Sequence, residues 1–570
     1  MTSPSTAIRT MRGIQQSLLL PVLAPQLASR EIKGVVYTKR WVVDLLLDLA
    51  GYTASRNLVD AVAVEPAAGD GAFLGPMIDR LAESCDRLGR SISDCGDSLV
   101  AYELNEESVR RARSLAVHVL EQRGVKYATA VALAETWVRR ADYLFDSINV
   151  PADFVIGNPP YVRLEHIPEE TADRYRDAFP TMRGRADLYV AFFEAALRQL
   201  KDEGTCAFIC ADRWMRNQYG AELRELITSA FAVDVVIEMH DANAFDDEVD
   251  AYPAITVIRQ KKQGKTIVAS AGAETEGFSS ATVCDALRRS IGDKSRMTAA
   301  GLRAARVDNW FKGKDPWPCR SPEQLALLRR LEDQFRPLEA NSKVGIGVAT
   351  GNDKVFVTKE PQLVESSRLL KLAMARDISG GKMEWSGHYL VDPWDSYGIV
   401  KLAKYPLLCR YFESHAHDLK KRHTALKSAD VWYKTIDRVT HSLTEKPKLY
   451  IADIKNVLDP VLDQGETYPH HNLYFIESDM WDLEVLGGLL ISTIGQFFVE
   501  SYGVRMRGGY LRFQAQYLRR IRVPEPGNVT KTDAMDLVRA FRDRDRQAAT
   551  KTALRMYGVS GSEMELAVGH

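Results

Sequence analysis

Residues 59–73 read VDAVAVEPAAGDGAF, and this stretch decides the fold. Its first part, Val59 to Val64, is apolar and rich in valine, which is typical of a buried strand. The strand pattern stops at Glu65-Pro66 and a turn that contains two glycines, and a helical pattern restarts near Phe73. A strand, a glycine-containing turn and a helix in this order form the first unit of an α/β fold.

The same alternation continues on both sides of this stretch. Helices are predicted at Trp41 to Ala50, Leu188 to Leu200 and Ala221 to Ala230, and strands at Leu99 to Leu104, Asp153 to Ile156, Thr205 to Cys210, Val233 to Met239 and Ala254 to Ile258. We therefore expect a doubly wound, mostly parallel α/β sheet. A short acidic loop, Asp241 to Asp250, joins the last two strands, which predicts a terminal antiparallel hairpin.

The length of 570 residues predicts about two to four packed units. The αβ alternation fades after Arg259, and later residues mix short helices with short strands, which predicts a second, α+β domain. We divide the chain into an N-terminal extension (1–33), the α/β domain (34–265), a connecting segment (266–325), the α+β domain (326–528) and a C-terminal segment of surface helices (529–570).

Composition restricts the class of protein. A chain with 45% hydrophobic and 26% charged residues is globular rather than disordered. Because 75 basic residues are balanced by 76 acidic ones, a surface that binds nucleic acid would have to be a local basic patch. The seven cysteines lack CxxC spacing, which favours a reducing cytoplasm, and we expect Cys206 and Cys210 to be buried strand thiols. No metal site is predicted.

Targeting signals are weak in this sequence. Pro21 and Pro25 interrupt the apolar stretch near the N-terminus, so a secretion signal is not favoured. No run of about 18 apolar residues is present. We expect a soluble, cytoplasmic protein without a membrane partner.

The most informative motif ends the strand at 153–156 and reads Asn158-Pro159-Pro160-Tyr161. Prolines lack N–H donors and keep the chain extended, so the carbonyl groups near them are available as acceptors. An asparagine oxygen beside such a carbonyl suits a planar amino group, and Tyr161 offers a ring for stacking. The motif therefore favours binding of an amino group on a flat heterocycle, and the alternative is an ordinary strand exit with a capping asparagine.

Three further features could bind a cofactor. Gly69 and Gly71 would let the backbone approach a ligand at a helix N-terminus. Leu74 stands where a dinucleotide motif needs a third glycine and no GK[ST] follows, so nicotinamide and ATP are disfavoured. Glu103, at a strand end, could bind ribose hydroxyls or simply be solvated. Asp142-Tyr143 could contact a purine or form a loop with one buried aromatic residue.

In their order, these motifs resemble those of class I, S-adenosylmethionine-dependent adenine-N6 DNA methyltransferases of the γ class, such as TaqI-like type II modification enzymes. The matching motifs are Tyr37-Thr38, Glu65 to Gly71, Glu103, Asp142-Tyr143, Asn158 to Tyr161, Asp187 to Phe193 and Asp212 to Trp214. More loosely, Gly345 to Asp353 with Phe356, Leu486 to Ser501, Arg507 to Arg512 and Leu518 to Pro524 resemble the recognition domain of that family.

The resemblance implies a class I methyltransferase fold, with catalytic residues in 34–265 and a target-recognition domain in 326–528. It implies cofactor binding by Thr38, Glu65, Ala67, Gly69, Gly71, Glu103, Asp142 and Tyr143, catalysis by Asn158, Pro159, Pro160 and Tyr161, and stacking of the target base on Tyr161 and Phe245. A loop phenylalanine that only fills the hairpin is the alternative for Phe245. Lys39 and Ala68 depart from the family pattern without removing a required functional group.

The implied function is methyl transfer from S-adenosylmethionine to the N6 of a flipped adenine in double-stranded DNA, within a restriction-modification system that includes a separate endonuclease. Methylation of RNA or of a glutamine side chain uses a similar motif, and a non-catalytic DNA-specificity protein is the alternative from another class. The basic residues Arg505, Arg507, Arg512 and Arg519, interleaved with aromatic residues, could bind DNA phosphates or form a solvated face.

Overall fold

A computed structural model of the chain describes residues 37–147, 150–246, 252–289, 297–308, 311–318, 321–503 and 510–568, with only the main chain at 297–299. The chain divides into two compact units, Met1–Leu325 and Ala326–His570.

The first unit is built on a sheet to which ten described strands contribute. These strands are β1 (Ala63–Glu65), β2 (Leu99–Glu103), β3 (Val138–Arg140), β4 (Ala152–Gly157), β5 (Leu200–Ala211), β6 (Ala232–Glu238), β7 (Pro253–Arg259), β8 (Thr266–Ala271), β9 (Met297–Ala299) and β10 (Leu302–Val307). The helices are α1 (Arg40–Ala50), α2 (Leu74–Leu88), α3 (Glu106–Gln122), α4 (Tyr127–Trp137), α5 (Tyr143–Asp146), α6 (Glu169–Ala178), α7 (Tyr189–Gln199), α8 (Arg213–Arg216), α9 (Ala221–Ala230) and α10 (Ser280–Arg289).

The strand order is β3-β2-β1-β4-β5-β7-β6-β8-β10-β9. Strands β3, β2, β1, β4 and β5 are mutually parallel, β7 is antiparallel to both of its neighbours, and β8 is parallel to β6. The α/β class and the β6–β7 hairpin are therefore confirmed, but the hairpin does not end the sheet. Small residues in β8, such as Ala269 and Ala271, give a weak strand signal, and pairing with β6 and β10 overcomes it.

Helices cover both faces of this sheet, and successive side chains of a strand point to opposite faces, so a central strand contributes to two apolar clusters. In β4, Phe154 and Ile156 belong to one buried apolar cluster and Val155 belongs to another. Cys206 and Cys210 are buried in β5, as predicted. The continuous apolar run of β4 is thus explained by burial on two sides.

The second unit combines small sheets with helices. Its strands are β11 (Arg336–Pro337), β12 (Lys343–Ile346), β13 (Val357–Thr358), β14 (Leu369–Ala373), β15 (Tyr389–Val391), β16 (Trp394–Asp395), β17 (Gly398–Ile399), β18 (Lys448–Ala452), β19 (Ile454–Lys455), β20 (Val461–Asp463), β21 (Tyr468–Pro469), β22 (Leu473–Glu477), β23 (Leu511–Arg512) and β24 (Arg522–Val523). The remaining helices are α11 (Pro322–Gln334), α12 (Asp353–Phe356), α13 (Pro406–Ser414), α14 (Ala416–Lys420), α15 (His423–Leu426), α16 (Ser442–Glu445), α17 (Leu483–Ile491), α18 (Thr493–Tyr502), α19 (Ala515–Leu518), α20 (Lys531–Asp543), α21 (Arg546–Tyr557) and α22 (Gly561–Val568).

The last helices do more than cover a surface, contrary to the sequence prediction. Leu537, Phe541 and Tyr557 are buried in the same apolar cluster as α17 and α18. In the part of the chain that the structure describes, no single helix is long and apolar enough to cross a membrane. The pair α17 and α18, bent by 67°, meets those two criteria jointly, and its apolar side chains lie in this core.

Candidate active site

The candidate site lies where the order of the strands in the sheet reverses. After β1 the chain forms β2 and β3 on one side, and it returns as β4 on the other side of β1. In open α/β sheets, ligands bind at the carboxyl ends of the strands at such a switch point. Glu65 ends β1 and Asn158 directly follows β4. A Cβ at Gly157 would lie 3.1 Å from Cδ of Pro66, so the two strand ends are closely packed.

The turn between β1 and α2 depends on its two glycines. Gly69 has φ +53° and Gly71 has φ +97°, in the left-handed region that favours glycine. A Cβ at Gly71 would lie 2.7 Å from Cδ2 of Leu115, so Gly71 is needed for packing against α3. At Gly69, no described heavy atom would lie within 4 Å of a Cβ. The turn therefore presents its backbone to open space at Gly69.

Glu103 links the end of β2 to this turn. Its Oε2 accepts a hydrogen bond from the N–H of Gly69 at 2.9 Å, and its Oε1 accepts one from the N–H of Asn105 at 2.7 Å. The Asn105 side chain in turn caps the N-terminus of α3. Each carboxylate oxygen has a second lone pair, so Glu103 can also accept hydrogen bonds from ligand hydroxyl groups.

Glu65 is the most deeply buried acidic group of the site. It is 1% exposed, and its Oε2 has no hydrogen-bond partner among the described residues. Burial raises the pKa of Glu65 well above its usual value, the nearby Glu103 adds to this rise, and a hydrogen bond from the Phe73 backbone opposes it. A ligand that brings a cationic or donor group would satisfy this oxygen.

Asp142 caps α5 near the end of β3. Its side chain accepts hydrogen bonds from the N–H of Leu144 at 3.0 Å and from the Tyr175 hydroxyl at 2.8 Å. Burial raises the pKa of Asp142, although these two hydrogen bonds oppose the shift. Phe145 stacks on Tyr175 with ring centroids 5.3 Å apart. An aromatic pair that sequence reasoning did not identify therefore lies next to Asp142.

Tyr143 has a different environment from its neighbour Asp142. It is 2% exposed, and its hydroxyl donates to Oε1 of Gln199 at 2.9 Å. Its ring stacks on Phe192 at 5.3 Å within the apolar cluster. The structure thus places Tyr143 in the core and the less buried Phe145 beside the carboxylate.

Three separate segments meet at Asn158. Its Nδ2 donates to Oγ1 of Thr38 at 3.1 Å, across 120 residues of sequence. Thr38 forms an isolated antiparallel bridge with Phe245, and the N–H of Lys39 donates to the carbonyl of Ala244 at 3.0 Å. Because the amide nitrogen faces Thr38, this bond also fixes the direction of the Asn158 amide oxygen.

The rings of Tyr161 and Phe245 lie next to each other. Their centroids are 6.3 Å apart with an interplanar angle of 80°, and Tyr161 makes a similar edge contact with Tyr189. Burial raises the pKa of Tyr161, whose hydroxyl lacks a hydrogen-bond partner within the described part of the chain. Tyr161 is therefore neutral and available as a donor.

Hydrogen bonds between three side chains hold the hydroxyl of Tyr189. Its hydroxyl is 2.6 Å from that of Tyr219, which donates to Oδ2 of Asp187 at 3.1 Å. Residues 187–193 match a motif of the family, but no site residue was predicted among them. The match to the motif could have indicated a site residue in this range, but the contact between Tyr189 and Tyr161 is visible only in the fold.

A buried charged group lies at the ends of β5 and β6. Asp212 pairs with Arg216 at 2.9 Å and with Nε2 of His240 at 3.0 Å, while Nδ1 of His240 contacts Glu238. Burial lowers the pKa of His240, but the two carboxylates outweigh this effect and the pKa is raised. The ion pairs stabilise the start of the loop that carries Phe245.

Two of the four predicted DNA-contacting arginines, Arg512 and Arg519, lie among the described residues of the second unit. Arg505 and Arg507 lie outside the described residues. Nε of Arg512 donates to Asp453 at 3.3 Å, and Arg519 pairs with Glu339 at 3.2 Å. The two described arginines therefore have carboxylate partners within the second unit.

Comparison with known proteins finds restriction-modification methyltransferases among the similar proteins. Residues 125–245 match the family described as Eco57I restriction-modification methylase. The chain is 41% identical over 553 residues to the type II methyltransferase M.PaeR7I of Pseudomonas aeruginosa, covering 94% of this chain and 93% of that protein. It is also 41% identical to M.XhoI of Xanthomonas vasicola, covering 94% and 98% respectively.

A solved structure shares the fold. The type IIL restriction-modification enzyme MmeI, determined in complex with DNA, superposes with a TM-score of 0.52 at 13% identity. The match covers 93% of this chain and 72% of the MmeI chain. At this identity the likeness concerns the fold alone.

Proposed function

The chain belongs to the type II restriction-modification methyltransferases, and from this premise we propose that it methylates the N6 amino group of adenine in double-stranded DNA, with S-adenosylmethionine as methyl donor. Membership makes it a DNA methyltransferase. The target atom, the γ class and the identity of the donor are the proposed parts.

The observation that carries the proposal is the position of Asn158-Pro159-Pro160-Tyr161. The motif follows β4 at the switch point of the sheet, and Asn158 is hydrogen-bonded to Thr38. An amide oxygen in a fixed direction, next to a proline carbonyl, provides two acceptors for the two hydrogens of one amino group.

The residues around the β1 turn suit S-adenosylmethionine. This cofactor has an α-ammonium group, two ribose hydroxyls and an adenine ring. Glu65 has a buried carboxyl oxygen that needs a donor, and Glu103 lies beside the open face of Gly69. Asp142 would accept from the adenine amino group, with Phe145 close to that ring. When bound, the cofactor supplies an electrophilic methyl group on a sulfonium sulfur.

The chain would prepare the target amine in two ways. Acceptors at Asn158 and at the Pro159 carbonyl would favour the tetrahedral form of the amine, in which the lone pair is no longer conjugated with the ring. Tyr161 and Phe245 would hold the base after it leaves the duplex, because flipping costs a few kcal/mol that stacking must offset. Pro160 keeps the chain extended between these groups.

DNA recognition is proposed for the second unit. We propose that the catalytic residues lie within 34–265 and that residues 326–528 form the target-recognition domain, with 1–33 as an extension and 529–570 as a helical segment. Within the expected connecting segment 266–325, strands β8, β9 and β10 continue the sheet of the first unit. Arg505 and Arg507 would contact phosphates, and a separately encoded endonuclease would share the recognition sequence. Methylation of RNA or of protein glutamine remains the alternative that the test must exclude.

The proposal is tested by incubating the full chain with duplex DNA and labelled S-adenosylmethionine, then digesting the DNA and identifying the modified nucleoside by mass spectrometry. We expect N6-methyladenine. Asn158→Ala should lower the rate by about a hundredfold or more, as for other losses of a group that acts on the reacting atom. Asn57→Ala, at an exposed position, is the control. Labelling only of cytosine, of RNA or of protein would contradict the proposal.

A further inference from the structure

A cluster of two histidines and an aspartate lies in the second unit. Asp353, His470 and His471 each offer one donor atom, and these three atoms lie within 4.8 Å of one another. We propose that they bind a divalent transition-metal ion, with Zn²⁺ as the best match. The inference is independent of the methyl-transfer site, which is in the first unit.

The backbone brings the three residues together. His470 and His471 follow β21, and His470 forms a parallel bridge with Val348. The N–H of His471 donates to the Val348 carbonyl at 3.0 Å. Asp353 begins α12 a few residues after Val348 and is 117 residues from His470 in sequence. The donor atoms are therefore held by main-chain pairing as well as by side-chain contacts.

The side chains are arranged as ligands require. His470 is 2% exposed, and its Nε2 lies 3.1 Å from Oδ2 of Asp353. The other oxygen of Asp353 accepts a hydrogen bond from the Thr350 hydroxyl. Ring centroids of His470 and His471 are only 4.0 Å apart. Hydrogen-bonded carboxylates and closely spaced imidazoles are typical of metal sites.

A hydrogen bond between His470 and Asp353 that merely holds the turn would explain only part of this arrangement. Nδ1 of His470 is buried and, within the described ranges, has no hydrogen-bond partner. Burying a polar atom without a partner is unfavourable, and a structural contact alone would not require His471 beside it. A metal ion bound at Nε2 of His470 accounts for the second imidazole, whereas the buried Nδ1 stays without a partner among the described residues in either arrangement.

The donor set indicates the kind of metal. Imidazole nitrogens with one carboxylate suit Zn²⁺ and its transition-metal neighbours, whereas Mg²⁺ and Ca²⁺ prefer oxygen ligands. Zinc–ligand bonds are about 2.0 to 2.2 Å long. To form them, the three donor atoms, which lie within 4.8 Å of one another, need to move only slightly closer together. Three protein ligands leave a fourth position, which faces solvent because His471 and the Asp353 side chain are exposed.

Binding would stabilise one particular loop. The turn Thr350-Gly351-Asn352 lies between β12 and α12, directly before Asp353. This turn is part of the segment that resembles the recognition domain of the family. A metal ion that joins Asp353 to the histidines would therefore hold a proposed DNA-recognition loop in one conformation.

The test uses the full chain after treatment with a chelator. Zn²⁺ is titrated in competition with a chromophoric chelator, and the melting temperature is measured with and without Zn²⁺. We expect one tightly bound Zn²⁺ per chain and a higher melting temperature when it is present. His471→Ala and Asp353→Asn should each weaken binding at least about tenfold, since the first removes a ligand and the second replaces a carboxylate by a neutral amide. His118→Ala, another exposed histidine, should not.

Several outcomes would overturn the proposal. These are the absence of a stoichiometric Zn²⁺, equal affinity in wild type and both variants, and stabilisation by Mg²⁺ as strong as that by Zn²⁺. Circular dichroism checks that the variants fold, and exposure of both altered side chains favours this. Because neither residue is in the methyl-transfer site, failure of this test leaves the proposed function unaffected, and the reverse also holds.

Discussion

Replacing Thr38 by valine should slow methyl transfer without weakening cofactor binding. Thr38 is 6% exposed, and valine has nearly the same shape, so the change removes little beyond the hydroxyl. That hydroxyl accepts the hydrogen bond from Nδ2 of Asn158 at 3.1 Å. The family resemblance instead implied that Thr38 positions the cofactor. The two roles predict different kinetics, and the substitution distinguishes them.

The expected size of the effect follows from the buried hydrogen bond. A neutral hydrogen bond contributes about 0.5 to 1.5 kcal/mol, and removing a partner of a buried donor costs about 1 to 3 kcal/mol. A change of about 1.4 kcal/mol in the barrier is a factor of ten in rate. If the bond holds the Asn158 amide in its reactive direction, we expect a loss of about tenfold, and of no more than about two hundredfold.

The assay separates the rate of transfer from cofactor affinity. Single-turnover methylation of duplex DNA gives the rate, and calorimetric titration with S-adenosylmethionine gives the affinity. Thr38→Ser keeps the hydroxyl and should retain most of the activity. An unchanged rate with weaker cofactor binding would refute the positioning role of Thr38, and no change in either quantity would show that the bond is unimportant.

Three other predictions concern charge. In the cofactor-free protein, the raised pKa of Glu65 means that the folded state holds this proton more tightly than the unfolded state does. The free energy of unfolding should therefore fall as pH rises through that pKa, by at most about 1.4 kcal/mol per pH unit. Glu65→Gln should remove this part of the pH dependence of stability. Urea unfolding at several pH values checks this, and identical slopes in both proteins would contradict it. Glu103→Gln removes charge-assisted hydrogen bonds and should weaken cofactor binding about tenfold to a hundredfold in calorimetric titration, while unchanged affinity would limit Glu103 to holding the Gly69 turn. The double variant Arg505→Ala and Arg507→Ala should bind DNA more weakly with a flatter salt dependence at unchanged cofactor affinity, and an unchanged salt slope would refute phosphate contact.

The central strands could be predicted because their signal is local. The apolar run of β4 predicts a strand without knowledge of any partner, and the structure confirms it with one more residue at each end. The valine-rich run from Val59 to Val64 was only partly correct, because residues 59–61 form a turn and β1 begins at Ala63. Thr266–Ala271 was missed since its small side chains favour a strand only when neighbours pair on both sides. The last helices were misjudged for a similar reason, because their burial depends on α17 and α18.

The position of Glu65 and Asn158 at one edge of the sheet was also predictable. Glu65 ends β1 and Asn158 follows β4, and the carboxyl ends of neighbouring parallel strands lie at one edge of a sheet. Contacts across long sequence separations were not predictable in this way. The metal-site residues illustrate this, since His470-His471 lacks a recognisable ligand spacing and gains Asp353 only through the bridge between Val348 and His470.

The order of motifs in the chain does not by itself create the site at Asn158. Thr38 lies 120 residues before it, and Phe245 reaches the same place only because residues 37–39 pair with residues 244–246 through main-chain hydrogen bonds. Since Thr38 contacts the proposed catalytic amide while its backbone pairs with the proposed stacking residue, one short segment fixes both. A change that disturbs this pairing should therefore impair orientation of the amide and stacking of the base together, whereas loss of the Thr38 hydroxyl should affect only the first.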